Sequence, residues 1–277
     1  MEWHRVDVAV ESRAPTGQTA AYLSDGPDAL LVDPARRTAD LDAAVEAADI
    51  AHLAVTHHHP DHVGAVAAYA RETDATVWAR RGRTDSFEAA TGITPDRTFA
   101  EGTTIPAGNA VEHGSTSSRP EADDGVTVLD LPGHAPEHVG FATDDGVVSG
   151  DVAVAVGSVV VGAPEGDMRA YLSSLRRLHA RNPTRLYPGH GPTITDARAA
   201  CRRLLRHRHR REERVRAAVE SGAETPDGIL DRAYEKDLSG VRDLALATVV
   251  AHLEKLAVEG AVQWDGERAR PDDGRST

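Results

Sequence analysis

A chain of 277 residues, 40% hydrophobic and 27% charged, has apolar material for one large core and a small appended unit, which excludes wholesale disorder. It contains no apolar run of about eighteen residues, no basic-then-apolar leader after Met1, and one cysteine, Cys201, so a membrane span, a secretory signal and a disulfide framework are not expected and the expected location is the cytoplasm. The net charge is -13, yet Lys236 and Lys255 are the only lysines; GC-rich codon usage explains the arginine but not the carboxylate excess, and the balance points to a salt-adapted source.

In chain order, Gln18–Ser24 and Ala29–Val32 read as strands joined by the turn Asp25-Gly26-Pro27-Asp28. Ala39–Ala48 has the spacing of an amphipathic helix, and Ile50–Val55 is a short apolar run of the kind a buried strand needs. Thr56-His57-His58-His59-Pro60-Asp61-His62 follows at once. Val63–Arg71 returns to helical spacing and Thr76–Ala79 to strand, while Val111–Gly125 is polar, acidic and aperiodic, a surface loop or insertion. Strands are predicted again at Val126–Leu131, Val139–Thr143 and Gly146–Ser149. Val152–Val161 is almost wholly small and β-branched and reads as a buried strand or strand and turn. Asp167 is placed to cap a helix running to Ala180, before Asn182-Pro183, and Arg185–Tyr187 is a last short strand.

Strands interleaved with helices predict an α/β layered domain over residues 1–195, with its chemistry on loops at strand ends. From Asp196 the texture changes. Asp196–Ser221 reads as one long arginine-dense helix, with further helices at Gly228–Tyr234 and Val241–Val258 and a hairpin turning at Asp265-Gly266. Helices followed by a hairpin predict a winged-helix-like unit over residues 196–277, frayed from Arg270 onward.

The histidine-rich heptad carries the chemistry. In an extended segment His57 and His59 point to the same side, and two imidazoles there can share one metal ion at about 2.0–2.1 Å. Asp61 and His62, beyond the bend at Pro60, can face a second ion, and His58 alternates to the opposite side in a structural or supporting role. Three more polar residues stand at predicted strand ends, each after a glycine that lets the backbone turn sharply: His134 in Leu131-Pro132-Gly133-His134, Asp151 in Ser149-Gly150-Asp151, and His190 in Pro188-Gly189-His190-Gly191.

Taken in order, H-x-H-x-D-H, then G-H, G-D and G-H, the pattern resembles that of the metallo-β-lactamase superfamily over about residues 15–195. The resemblance implies a four-layer αββα sandwich in which His57, His59 and His134 hold one metal and Asp61, His62 and His190 the other, with Asp151 bridging. It implies two divalent cations, zinc as the commonest and iron or manganese as alternatives the donor set also admits. Such a pair lowers the pKa of a shared water from near 16 towards about 7 for attack on a carbonyl or phosphorus centre, with Asp61 orienting the water or taking its proton. Several departures narrow the branch. Cys201 lies in a predicted helix beyond His190 and is out of place for the cysteine ligand of the common lactamases. A histidine, His59, stands where flavodiiron relatives have glutamate, and the chain lacks the length for the inserted domain of the large RNA-processing nucleases. Ala135 replaces the usual threonine after the Gly-His pair, and His138 is either supporting or substrate-facing, or has a plain packing role.

The C-terminal unit is similar to that of lactamase-beta-like proteins with a winged-helix tail, some of which cut single-stranded RNA while others are glyoxalase II-like thioesterases. The long helix carries Arg198, Arg202, Arg203, Arg206, Arg208, Arg210, Arg211, Arg214 and Arg216, either a phosphate-facing stripe or a solvated face paired with the acidic body. The expected function is a metal-dependent hydrolase acting on a small-molecule ester or thioester, or on a phosphodiester. The alternatives are an endoribonuclease of single-stranded RNA and a non-catalytic metal-sensing winged-helix binding protein. The complete ligand set favours catalysis over sensing. The absence of lysine from residues 1–195 weighs against a glutathione thioester.

Overall fold

The structure, a computed structural model, describes residues 1–108, 125–235 and 237–272. Two sheets hold most of the apolar strands. In the first, β1 (Trp3–Ala9), β2 (Gln18–Ser24), β3 (Ala29–Val32), β4 (Ile50–Ala54), β5 (Thr76–Arg80) and β6 (Arg97–Phe99) lie side by side in chain order. The first three pair antiparallel, and β3 to β6 pair parallel. The second sheet runs β11 (Leu186–Pro188), β10 (Val147–Gly150), β9 (Val139–Ala142), β8 (Val126–Asp130), β7 (Thr104–Ile105), and only β10 and β11 are parallel.

Alternation along each strand decides what it buries. Ala20 and Tyr22 of β2, Leu30 and Val32 of β3, and Trp78 of β5 face the second sheet and share a core with Val128, Phe141 and Val148. The intervening Ala21, Leu23, Leu31, Val77 and Ala79 face the other way. They pack under α1 (Ala39–Ala47), α3 (Val66–Thr73) and α4 (Thr84–Thr91), which contribute Leu41, Val45, Val66, Tyr69 and Phe87. Across the molecule Leu129, Leu131 and Val147 pack under Leu172 and Leu175 of α5 (Met168–Arg181) and Cys201 and Leu204 of α6 (Ala197–Glu220). The layers are helix, sheet, sheet, helix, so the αββα sandwich expected from the sequence is the one observed. Covered on both faces, β3 reads as an unbroken apolar run rather than an alternating one.

The expected helix at Val63–Arg71 is split into a single turn, α2 (Pro60–Val63), and α3, with Gly64 and Ala65 between them. Gly64 sits so close to the chain at Ala35 that a Cβ there would lie 2.4 Å from the Ala35 carbonyl oxygen. Val152–Val161 is not a strand. It forms no regular element, and Val156 stands 82% exposed, because β10 ends at Gly150 and the chain leaves the sheet there. β1, α4, β6 and β7 were not anticipated. The expected loop at Val111–Gly125 lies outside the described residues except for Gly125.

Beyond the sandwich, the second half of α6 packs with α7 (Pro226–Ala233), α8 (Arg242–Val258) and the hairpin β12 (Val262–Trp264) and β13 (Ala269–Pro271). Val215, Val219, Ile229, Leu230, Val249 and Leu253 form a core of their own there. Arg270 is paired with Gln263 in that hairpin, so the chain stays in strand through Pro271; the rest of the tail expected to fray, from 273 on, lies outside the described residues. Among the described residues no helix is long and apolar enough to cross a membrane.

Candidate metal centre

Strand β4 is packed between helices and the second sheet, so its exit at Val55 delivers the histidine-rich segment to the edge of both sheets. Thr56 is the first fixed point: its backbone N–H donates to Asp33 Oδ1 at 2.6 Å and its hydroxyl to Asp33 Oδ2 at 2.7 Å. His57 and His59 then turn inward together as alternation requires, with His57 Nε2 and His59 Nδ1 3.0 Å apart. His58 turns away; its N–H donates to Glu137 and its ring meets Ser86. Pro60 begins the short helix α2, which carries Asp61 and His62.

The second sheet supplies the rest from the ends of β8, β10 and β11. His134 Nε2 lies 3.0 Å from His59 Nδ1. Asp151 Oδ2 is 3.6 Å from His134 Nε2 and 3.3 Å from His190 Nε2, and Asp151 Oδ1 is 3.8 Å from His62 Nε2. His190 Nε2 is 3.5 Å from Asp61 Oδ2. All seven residues named from the sequence are brought together. Their ligand atoms fall into three overlapping groups, His57/His59/His134, His57/His62/Asp151 and Asp61/His62/His190, each within 4.8 Å.

Two of the expected glycines are required sterically. Gly133 has φ +130° and lies against Tyr171, where a Cβ would come 2.2 Å from the backbone nitrogen. A Cβ on Gly189 would sit 2.5 Å from Asp151 Oδ1 and 2.7 Å from His62 Cε1. Tyr22 Oη donates to the Pro188 carbonyl at 2.7 Å, and Ala20 N–H donates to the Gly189 carbonyl at 2.8 Å, which pins that turn to the opposite sheet.

The hydrogen bonds fix the tautomers. Thr56 Oγ1 gives its one proton to Asp33, so it accepts from His57 Nδ1–H, 3.0 Å away. His62 Nδ1–H donates to Asp33 Oδ2 (2.9 Å), His134 Nδ1–H to the Val160 carbonyl (2.7 Å) and His190 Nδ1–H to the Gln18 carbonyl (2.8 Å). His59 is held from its other nitrogen, Nε2–H donating to Glu165 Oε2 at 3.1 Å. Each of the five imidazoles thus satisfies its outer nitrogen and turns the other inward. His62 Nε2 and Asp151 Oδ1 are buried with no hydrogen-bond partner among the described residues. Five convergent imidazole nitrogens and two carboxylates form a donor set that fits divalent cations.

Burial and the four neighbouring imidazoles press His57 far below the ordinary histidine value, and burial lowers His134 as well. At His62 burial also opposes the charge, but the carboxylates of Asp33, Asp151 and Asp61 outweigh it and push the ring up to about 9. Burial would raise Asp151, yet His190, with Nε2 3.3 Å away, and the surrounding imidazoles hold it well below the usual carboxylate range.

His138 does not face solvent. It is fully buried, stacks on His57 with ring centroids 5.0 Å apart, and its Nε2 accepts the Asp151 N–H at 3.0 Å. Asp33, Thr56, Glu165 and the Val160 carbonyl were not read from the sequence; for Asp33 a signal existed, a lone carboxylate ending the apolar run Ala29–Val32 before Pro34. Cys201 packs between α5 and α6 away from the centre, where burial pushes its thiol up to about 11.

Known proteins share the family and the fold of this chain. The family described as the metallo-beta-lactamase superfamily matches residues 14–190. A probable metallo-hydrolase of Bacillus subtilis is 27% identical, covering 92% of this chain and 94% of its own. A hydroxyacylglutathione hydrolase of Methylobacillus flagellatus is 31% identical over 140 residues, 50% of this chain and 47% of that one. The crystal structure of a metallo-beta-lactamase family protein from Thermus thermophilus superposes with a TM-score of 0.73 at 22% identity, covering 97% of this chain and 98% of the other, and shows the shared fold. The chain belongs to the metallo-beta-lactamase superfamily and is a hydrolase of that fold.

Proposed function

We propose that residues 1–195 form a catalytic domain that hydrolyses an ester-like bond, a thioester foremost, at a dinuclear centre. His57, His59 and His134 would hold one divalent cation, Asp61, His62 and His190 the other, and Asp151 would lie between them. The observation that carries this reading is the shared orientation of the five imidazoles, each anchored at its outer nitrogen with the other turned inward. Nitrogen and carboxylate donors admit zinc, iron or manganese, and zinc is the proposed metal.

Bound there, divalent cations supply Lewis acidity, lowering the pKa of water at the site and polarising the scissile carbonyl. The chain's own residues do the rest. Asp61, with 20% of its side chain open to solvent, is the carboxylate placed to orient a water and accept its proton, whereas Asp151 is 9% open and packed among imidazoles. His138 and Asp33 hold the backbone and rings that aim these groups.

Similarity to the hydroxyacylglutathione hydrolase, over half of this chain, supports a thioester substrate. The single-stranded RNA reading rests on the arginines of α6, and several are otherwise engaged: Arg203 with Val154 and Gly157, Arg208 with Val159, Arg211 stacked on Tyr234, Arg216 with Glu220. Residues 196–277 are proposed as a winged-helix-like unit that supports the catalytic domain rather than reading nucleic acid. The test is a parallel assay on S-lactoylglutathione, a generic phosphodiester and single-stranded RNA, before and after chelation. Thioester turnover that vanishes with chelator and returns with Zn²⁺ or Mn²⁺ supports the reading. Turnover by metal-free protein, or cleavage of RNA alone, contradicts it.

A further inference from the structure

The segment from Val152 to Glu165 follows Asp151 directly and forms no helix or strand, so its carbonyls have no ladder to pair with. Side chains of α5 and α6 take that place. Tyr171 Oη donates to the Val152 carbonyl at 2.9 Å, Arg203 donates to the Val154 and Gly157 carbonyls at 2.5 Å each, and Arg208 donates to the Val159 carbonyl at 2.5 Å. From α8, the Ala247 carbonyl accepts the Ala163 N–H at 3.1 Å. Arg208 is only 2% exposed, with its guanidinium over the Tyr171 ring at 5.1 Å. Burying a cation so completely is costly unless its hydrogen bonds are put to use.

The opposite side of the same segment faces the metal centre. The carbonyl of Val160, next to Val159, accepts His134 Nδ1–H, and Glu165 accepts His59 Nε2–H. Both histidines belong to the His57/His59/His134 group. His62 and His190 take their orienting acceptors from Asp33 and Gln18, at the ends of strands in the first sheet. His57 also hangs from Asp33, through Thr56, so within the first group it is His59 and His134 whose orienting acceptors come from this segment.

We infer that the C-terminal helices brace one metal position and not the other: Arg208, through Val159 and Val160, is a positioning residue for His134, with Arg203 securing the same segment further up. If the Val160 carbonyl drifts, His134 loses the bond that keeps its proton on Nδ1 and its lone pair inward, and the three-histidine group loses a donor. The arginine helix acts through backbone carbonyls. This rests on the metal assignment proposed above.

The experiment is a chelator-competition titration of the full chain with Zn²⁺, resolving the two equivalents, for wild type, Arg208→Met, Arg208→Lys and Arg203→Met, with circular dichroism to check the fold. Loss of an orienting partner typically weakens a metal site about 10- to 100-fold. Arg208→Met is expected to weaken one equivalent by that factor and leave the other unchanged. Arg208→Lys, which keeps a donor, is expected to recover part of the loss, and Arg203→Met to show a smaller effect on the same equivalent. Unchanged affinity for both equivalents, or equal weakening of both, overturns the inference. If Arg208→Met does not fold, Arg203→Met decides alone by the same criteria. A wild-type chain that binds no divalent cation overturns the metal assignment itself, a result visible before any variant is made.

Discussion

Asp33 shows how much of the centre depends on residues that touch no reacting atom. It is wholly buried, has φ +53°, and one carboxylate receives the Thr56 N–H, the Thr56 hydroxyl and the His62 ring. Asparagine tolerates the left-handed backbone but offers an amide donor where two acceptor oxygens are needed. Asp33→Asn is expected to keep its fold and lose about 10- to 100-fold in affinity at the metal position containing His62. Metal titration read beside circular dichroism checks this, and full affinity at both positions would count against the network. All seven proposed ligands were legible in the sequence because alternation, strand ends and preceding glycines constrain them. Their orienting partners were not, since Val160 offers only a carbonyl and Glu165 and Gln18 carry no local pattern.

Elements were legible where their periodicity was long or their ends were marked. Asp167 reads from sequence as the cap of α5, and its Oδ1 accepts the N–H groups of Arg169 and Ala170 at 2.7 and 3.0 Å. Its own N–H donates to the Gly133 carbonyl, so the cap also ties α5 to the loop bearing His134. Asp167→Ala is expected to lower stability by about 1 kcal/mol, measured by urea unfolding; no change would mean the cap is dispensable. Val152–Val161 failed as a strand because β-branched composition reports only that a segment suits a pleated surface, and this one is held by Tyr171, Arg203 and Arg208 instead. β1 was missed although Val6 and Val8 alternate with exposed residues, because Trp3–Ala9 is an edge strand with one buried row.

At the scale of the molecule, the separate cores of the sandwich and of the C-terminal helices meet along α6, whose first half belongs to one and second half to the other. His207 sits on that shared helix. Burial, then the guanidinium groups of Arg208, Arg211, Arg214 and Arg203, push it down to about 4. The folded chain keeps it neutral while the unfolded chain takes a proton below about 6.5, so its contribution is complete above that pH and is lost as pH falls towards 4. The urea midpoint is expected to fall between pH 7 and pH 5, and to fall less in His207→Gln; an identical fall in both would remove His207 from the explanation. The charge excess belongs to this scale too: Lys255 is 7% exposed and paired with Glu212 and Glu259, so it adds almost nothing to the cationic surface.

Elemental analysis of the purified chain beside His59→Ala and Asp151→Ala bears most directly on the proposed dinuclear centre. Two equivalents of divalent metal in the wild type, with less metal and no hydrolysis in both folded variants, is the result predicted. Full metal content and full activity in both variants would contradict it.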